Sequence, residues 1–519
     1  MKDWSLRLSR RVRTLREEGV VGTLWDGETG LWPGDSGTIR QRLGWLRLPA
    51  AAPHLAASLP GRIGRLTEGI DRVLLAGMGG SSMTPLIGGA ILPATPGAPS
   101  LTVLDTTDPR EVAEALAPGL SRTLLVVASK SGTTTEPLVL RDVVYEAFRA
   151  EGIDPVSRTI AITDPGTPLA TTPAAALFES PSDVGGRFSA LSPFGLVPLF
   201  LAGRNVASVA AFAAAAEREC RRDDEGNPAL LLGALLGEMA LGGCDKMVLD
   251  DRPPVEGAGL WVEQLVAESL GKGGKGVIPL TRPSPSSALL AFADSFLVRQ
   301  GGAGQGVGAD PALPFLPLPI GSPEELGRLF LIWEVAVAIA GHVIGVNPFD
   351  EPDVSAAKIF SGEAIASLAA GRPLSETTPQ AESAGEARRA LEEMTPGDYA
   401  ALLCYLPDRP GYREAAADFR DRVETSLARP VVVQFGPRYL HSTGQAFKGG
   451  PAGGVFLVVT APPEPSVPLP GRPFSLGDLQ VTQAAGDFRA LRERGRKACW
   501  LPLPDPSPGA LHRLLDSLG

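Results

Sequence analysis

The sequence predicts an α/β protein with two doubly wound parallel-sheet domains and an additional small C-terminal α/β domain. Three observations carry the prediction. Apolar runs of strand length recur, they stop abruptly at small or polar residues, and helix-like segments separate them. The length agrees, since a 519-residue chain corresponds to roughly 3 domains of ordinary size.

The N-terminal MKDWSLRLSRRVRTLREEG alternates charge with apolar residues and has no signal-peptide core. It predicts an amphipathic helix with Trp4, Leu6, Leu8, Val12 and Leu15 on its apolar face, within a helical lead-in over residues 1–60. The first domain, 61–220, opens with the strand RVLLAG at 72–77. LTVLD (101–105), TLLVVAS (123–129) and TIAIT (159–163) follow, with PREVAEALA and PLVLRDVVYEAFRAEG as intervening helices. An Ala-rich helical region at 206–241 leads into the second domain, 221–372, built on KMVLDD, a helix through WVEQLVAESLG, GVIPL and SFLVRQ. RLFLIWEVAVAIAGHVIGV (328–346) predicts a buried helix with too many interruptions for a membrane span. After a polar stretch at 373–386, the C-terminal α/β domain (390–519) has PVVVQFG and GGVFLVVTA as strands.

Composition narrows the function. Hydrophobic residues make up 44% and charged residues 20%, an ordinary globular balance. A net charge of −10 argues against nucleic acid as the partner, and no apolar window predicts a membrane partner. The four cysteines are scattered without a CxxC pair, so neither zinc nor a disulfide framework is expected, which fits a reducing cytoplasm. Lysine is scarce, eight against forty arginines, yet five of the eight fall in the candidate site segments described next.

Two turns of the first domain point to chemistry. RVLLAG runs into GMGGSSM, and TLLVVAS runs into SKSGTTTE. Each turn precedes a predicted helix, so backbone N–H groups and the positive end of a helix dipole would face the strand ends. Glycines permit close approach, and the hydroxyls can donate to phosphate oxygens. Capping of the following helix would use one or two hydroxyls but not a cluster in both turns. GMGG lacks the GxGxxG spacing, because Ser82 stands where the third glycine belongs, so no dinucleotide cofactor is expected.

GMGGSSM, SKSGTTTEP, VGGRFSALSPFGLVP, AESLGKGGKG, NPFDEPDVSAAK and HSTGQAFKGGPAGGVF, in this order and spacing, closely resemble the glucose-6-phosphate isomerase family. The likeness is greatest to the isomerase portion of bifunctional transaldolase/phosphoglucose isomerases and runs from about residue 31 to the C-terminus. It implies that the two larger domains are sugar-isomerase (SIS) domains. It further implies reversible isomerisation of glucose 6-phosphate and fructose 6-phosphate through a cis-enediol, without metal or cofactor. Such an enzyme serves glycolysis and gluconeogenesis in the cytoplasm. The sequence begins in the isomerase-like part, so the isomerase is expected to stand alone or beside a separately encoded transaldolase. A homodimer with shared sites and a monomer are both consistent with the resemblance.

By position in the motifs, Ser81, Ser129, Lys130, Ser131 and Thr134 are the implied phosphate contacts, with Gly80 and Gly186 beside the substrate. Pro137 replaces a further hydroxyl of some relatives. Glu268 is the implied base, and Glu263 is the second choice because it cannot share the same helical face well. Trp261, Leu265 and Val266 are candidates for an apolar wall that raises the proton affinity of the base. Arg187 is the implied partner of the enediolate oxygens, and Lys358 the implied aid to ring opening. Two positions depart from the family. Glu351 stands where many relatives have glutamine, so the carboxylate is expected to weaken substrate binding, to be protonated or to turn away. The ring-opening histidine motif of animal and enteric enzymes is absent; His441, in HSTGQ, is the candidate for that role or for substrate binding. QLHKGG of relatives reads Gln445-Ala446-Phe447-Lys448 here. Two alternatives are a dual phosphoglucose/phosphomannose isomerase and a non-catalytic SIS-type regulator that binds sugar phosphate.

Overall fold

The structure is a computed structural model that describes residues 3–282, 292–302 and 313–519, the side chains of 282 and 354–358 excepted. Among the described residues, thirteen strands form three sheets, and every strand pair is parallel. The first sheet holds β1 (Arg72–Gly77), β2 (Ser100–Leu104), β3 (Thr123–Ala128), β4 (Thr159–Thr163) and β5 (Ala176–Glu179) in the order β2-β1-β3-β4-β5. The second holds β6 (Lys246–Asp251), β7 (Ile278–Arg282), β8 (Ser295–Gln300) and β9 (Phe315–Leu318), ordered β7-β6-β8-β9. β10 (Tyr399–Cys404), β11 (Val431–Phe435), β12 (Gly454–Thr460) and β13 (Lys497–Pro502) complete the third as β11-β10-β12-β13.

All three orders reverse direction between the first strand and its later neighbour. β1 lies between β2 and β3, in register from Arg72 opposite Thr123 to Gly77 opposite Ala128. A crevice therefore opens beyond the carboxyl ends of β1 and β3, the place where doubly wound sheets take ligands. Both predicted turns lie at that crevice.

The central strands are buried on both faces and accordingly read as continuous apolar runs. One core joins the first two sheets through the helices Val206–Cys220, Pro228–Leu241 and Leu326–Ile344. The Ala-rich region is thus two helices. Pro228 cannot continue a helix, and Asn227 caps the second one by accepting from the Ala229 and Leu230 amides. The stretch Pro323–Ile344 is long and apolar enough by length and composition to cross a membrane, but 83% of its apolar window is buried inside the protein. The N-terminal helix forms at Trp4–Glu17, with Val12 and Leu15 buried and Leu6 exposed.

The third sheet touches both of the others. Tyr399, Ala401 and Phe456 share a core with Val248, Ile278 and Leu280 of the second sheet. Leu476 and Leu479, in the helix Leu476–Glu493, pack against Leu74, Leu125 and Val127 of the first.

Candidate functional site

A cavity of about 420 Å³ lies beyond β1 and β3, and Gly80, Ser81, Lys130, Ser131, Thr134, Gly186, Arg187, Glu268, Glu351 and His441 line it. The fold therefore brings together most of the predicted site. Its floor is tight. A Cβ on Gly80 would stand 1.9 Å from the Gly186 carbonyl oxygen, so the GMGG and VGGR turns meet backbone to backbone.

The hydroxyl-rich side of the cavity comes from the two turns. The helices Met83–Ile91 and Thr135–Ala150 start there, and neither N-cap residue, Ser82 or Thr134, closes its helix with a side-chain bond. Ser129 is buried and donates to Thr134 Oγ1 at 3.0 Å, which orients that hydroxyl. Ser131 Oγ accepts from the Thr133 hydroxyl at 2.9 Å. Lys130 Nζ is already paired with Asp164 and donates to the Ser182 carbonyl at 3.1 Å. Its charge thus faces the cavity from a fixed position.

The carboxylate side of the cavity comes from the helix Gly259–Leu270. Glu268 Oε1 is 3.3 Å from Arg187 Nη1, and Oε2 accepts from Gln264 Nε2 at 3.2 Å. Burial raises the proton affinity of Glu268, with Arg187 opposing and the Glu351 charge reinforcing the shift. Glu263 faces elsewhere: it is 2% exposed and accepts from Thr281 Oγ1 and Gln434 Nε2, each at 2.7 Å.

Arg187 is 5% exposed and held at every nitrogen. Nε donates to Ser269 Oγ at 2.8 Å, and Nη2 to the carbonyls of Pro348 and Asp350 at 2.7 and 2.9 Å. Nη1 donates to Glu351 Oε2 at 3.0 Å. Lys272 grips the same loop through Asp350 Oδ1 at 2.6 Å, and burial lowers its ammonium to about 8. Glu351 is neither turned away nor protonated. Burial would raise its carboxyl, but the Arg187 guanidinium prevails and holds it below the usual glutamate value.

A second lobe of about 250 Å³ adjoins the first across Ser131, Thr134 and His441. His441 Nε2 lies 3.0 Å from Glu136 Oε1, and Gln483 Nε2 donates to that same oxygen at 2.7 Å. Thr107 Oγ1 in turn donates to Gln483 Oε1 at 2.8 Å. The His441 carbonyl accepts from Gln264 at 2.8 Å, which ties the histidine turn to the helix of Glu268. Ser361, Gly362 and Ile365 of the helix Val354–Ala369 line this lobe. Lys358 is on that helix, but its side chain lies outside the described residues. Among the described residues, no group of three or more His, Cys, Asp or Glu side chains could hold a metal ion.

A family model described as "Phosphoglucose isomerase" matches residues 60–245. A glucose-6-phosphate isomerase from Rubrobacter xylanophilus is 29% identical over 384 residues, 61% of this chain and 87% of the relative. A probable glucose-6-phosphate isomerase from Methanococcus maripaludis is 28% identical over 58% of this chain and 80% of its own length. Over most of its length, the chain is similar to glucose-6-phosphate isomerases. In fold it matches a hypothetical protein from Thermus thermophilus with a TM-score of 0.60 and 24% identity, over 70% of this chain and 98% of the other. A glucose-6-phosphate isomerase from Chlamydia trachomatis matches with a TM-score of 0.53 and 21% identity, over 61% of this chain and 73% of its own.

Several residues that line or brace the cavity were not singled out in the sequence. Gln264 precedes Glu268 by one helical turn, so helix periodicity carried a signal for it. Glu136 directly follows SKSGTTT. Ser269 and Lys272 stand in the AESLGKGGKG segment, Lys272 as one of the scarce lysines, whereas Gln483 has no local signature that sets it apart from ordinary polar positions.

Proposed function

We propose that the chain interconverts glucose 6-phosphate and fructose 6-phosphate, with Glu268 moving a proton between C1 and C2 of the open-chain sugar. The observation that carries this reading is the contact between Glu268 and Arg187 across the cavity from the hydroxyl-rich turns. A phosphate held by Ser81, Ser131 and Thr134 and by the helix N-termini fixes one end of the sugar. C1 and C2 then reach Glu268. Its partly desolvated carboxylate takes the proton from one carbon and returns it to the other, and burial keeps it basic enough to do so. Charge develops on the enediolate oxygens, and the Arg187 guanidinium, already aligned by Ser269 and the 348–350 carbonyls, faces it without reorganising.

Ring opening needs a group that can protonate the ring oxygen and accept the hydroxyl proton. His441 is placed for it in our reading, because Glu136 orients its imidazole and the ring faces both lobes. Lys358 is the second candidate on its helix. A regulator that only binds sugar phosphate would have no use for a buried glutamate held against an arginine.

The test is turnover of fructose 6-phosphate by the purified chain, read as glucose 6-phosphate through a dehydrogenase. We expect Glu268→Gln to lower kcat by about 10³-fold or more, the scale of a lost general base. Undiminished turnover in that variant would move the base elsewhere.

A further inference from the structure

Arg187 Nη1 serves two carboxylates at once, Glu351 Oε2 at 3.0 Å and Glu268 Oε1 at 3.3 Å. Its remaining nitrogens are fixed to Ser269 and to the loop carbonyls. Nη1 is therefore the one nitrogen of this guanidinium that can turn to a reacting oxygen, and it is occupied. The two carboxylates are not equivalent. The Glu268 side chain is 12% exposed and held from behind by Gln264, whereas the Glu351 side chain is 38% exposed. Glu351 is the arm with room to move. The loop beneath it is not free, because Lys272 and Arg187 both bind the Asp350 carbonyl.

Resting on the isomerase reading, we propose that Glu351 is a substrate-displaced counter-ion. It holds Arg187 Nη1 until the C1 and C2 oxygens of an open-chain sugar phosphate replace it there. Binding then costs the breaking of an ion pair and brings a phosphate dianion near an extra carboxylate. Two consequences follow. Removing the Glu351 charge tightens binding, and it does so most for ligands that place negative charge on Arg187. The groups facing Glu268 are Arg187, Glu351, Gln264 and His441, with Lys272 and Asp350 behind. Of these, Glu351 is the like charge that raises the Glu268 carboxyl, so its removal also lowers the pH at which Glu268 becomes a base.

The experiment compares the native chain with Glu351→Gln and with Glu351→Ala, which removes the arm altogether. Three quantities are measured: KM for fructose 6-phosphate, the acid limb of kcat/KM, and calorimetric affinity for a C6-phosphorylated sugar acid with a carboxylate at C1. Both variants are expected to lower KM two- to threefold and to move the acid limb down by about one pH unit. The sugar acid should bind about tenfold tighter, a gain larger than that in KM. A residue that only braced the loop would raise KM in both variants and leave the acid limb in place. That result, or unchanged sugar-acid affinity, overturns the proposal while native turnover and its loss in Glu268→Gln still stand. A native chain that binds neither ligand would instead overturn the isomerase reading, and this proposal with it.

Discussion

Gln483 and His441 meet at a single oxygen: Glu136 Oε1 accepts from Gln483 Nε2 at 2.7 Å and lies 3.0 Å from His441 Nε2. Gln483 and His441 come from the part of the chain built on the third sheet, and Glu136 from the first turn of the helix after SKSGTTT. The contact fastens the histidine turn to the SKSGTTT turn.

Gln483→Leu removes one donor from Glu136 and is expected to lower kcat about tenfold, less than the roughly 10²-fold loss for His441→Ala. If the group serves ring opening, that step becomes slower than proton transfer. The isotope effect on kcat with glucose 6-phosphate deuterated at C2 should then shrink toward unity in both variants. An isotope effect equal to that of the native chain would separate this histidine from ring opening.

Arg438 joins the first and third sheets. It donates from Nε and Nη2 to the two oxygens of Asp105, at 2.7 and 2.9 Å, and from Nη1 to Asp408 at 2.8 Å. Asp105 is 1% exposed. Arg438→Met would leave that carboxylate buried without its counter-charge, a loss of about 3–5 kcal/mol in urea unfolding. A change below about 1 kcal/mol would mean water reaches Asp105 readily.

Glu334, in the middle of Leu326–Ile344, is fully buried, and neither carboxylate oxygen has a hydrogen-bond partner among the described residues. Burial raises its carboxyl well above the ordinary glutamate value of 4.5. A raised folded value means that the group's contribution is fully present below the unfolded value, near 4.5, and is lost as pH rises toward the folded one. Glu334→Met, similar in length and without an orphaned polar atom, is expected to add about 1–3 kcal/mol at neutral pH. Denaturant midpoints from pH 5 to 8 should show the advantage growing with pH. A constant or shrinking advantage would contradict the assignment.

β1 to β4 of the first sheet were legible because they are apolar runs cut off by small or polar residues, whereas the short edge strand β5, ALFE, was not read from the sequence. β10 and β13 were not, because YAALLC is alanine-rich and KACWLP ends in proline, so neither has the β-branched signature of a strand. β9 was missed for a related reason: Pro317 interrupts FLPL, which is tolerated because β9 is an edge strand. In the site, residues within turns declared themselves locally. Gln483 could not, since a glutamine in a helix gains meaning only when the fold sets it against Glu136, 347 positions away. Glu351 was visible as a departure, but its pairing with Arg187 depends on a loop anchored by Lys272.

The central claim is that Glu268 shuttles a proton through an enediol, and isomerisation in deuterium oxide tests it most directly. Starting from fructose 6-phosphate, the native chain should deliver glucose 6-phosphate carrying solvent deuterium at C2, and Glu268→Gln should deliver neither product nor label. Product formed without any label, or labelling by Glu268→Gln at the native rate, would contradict the account.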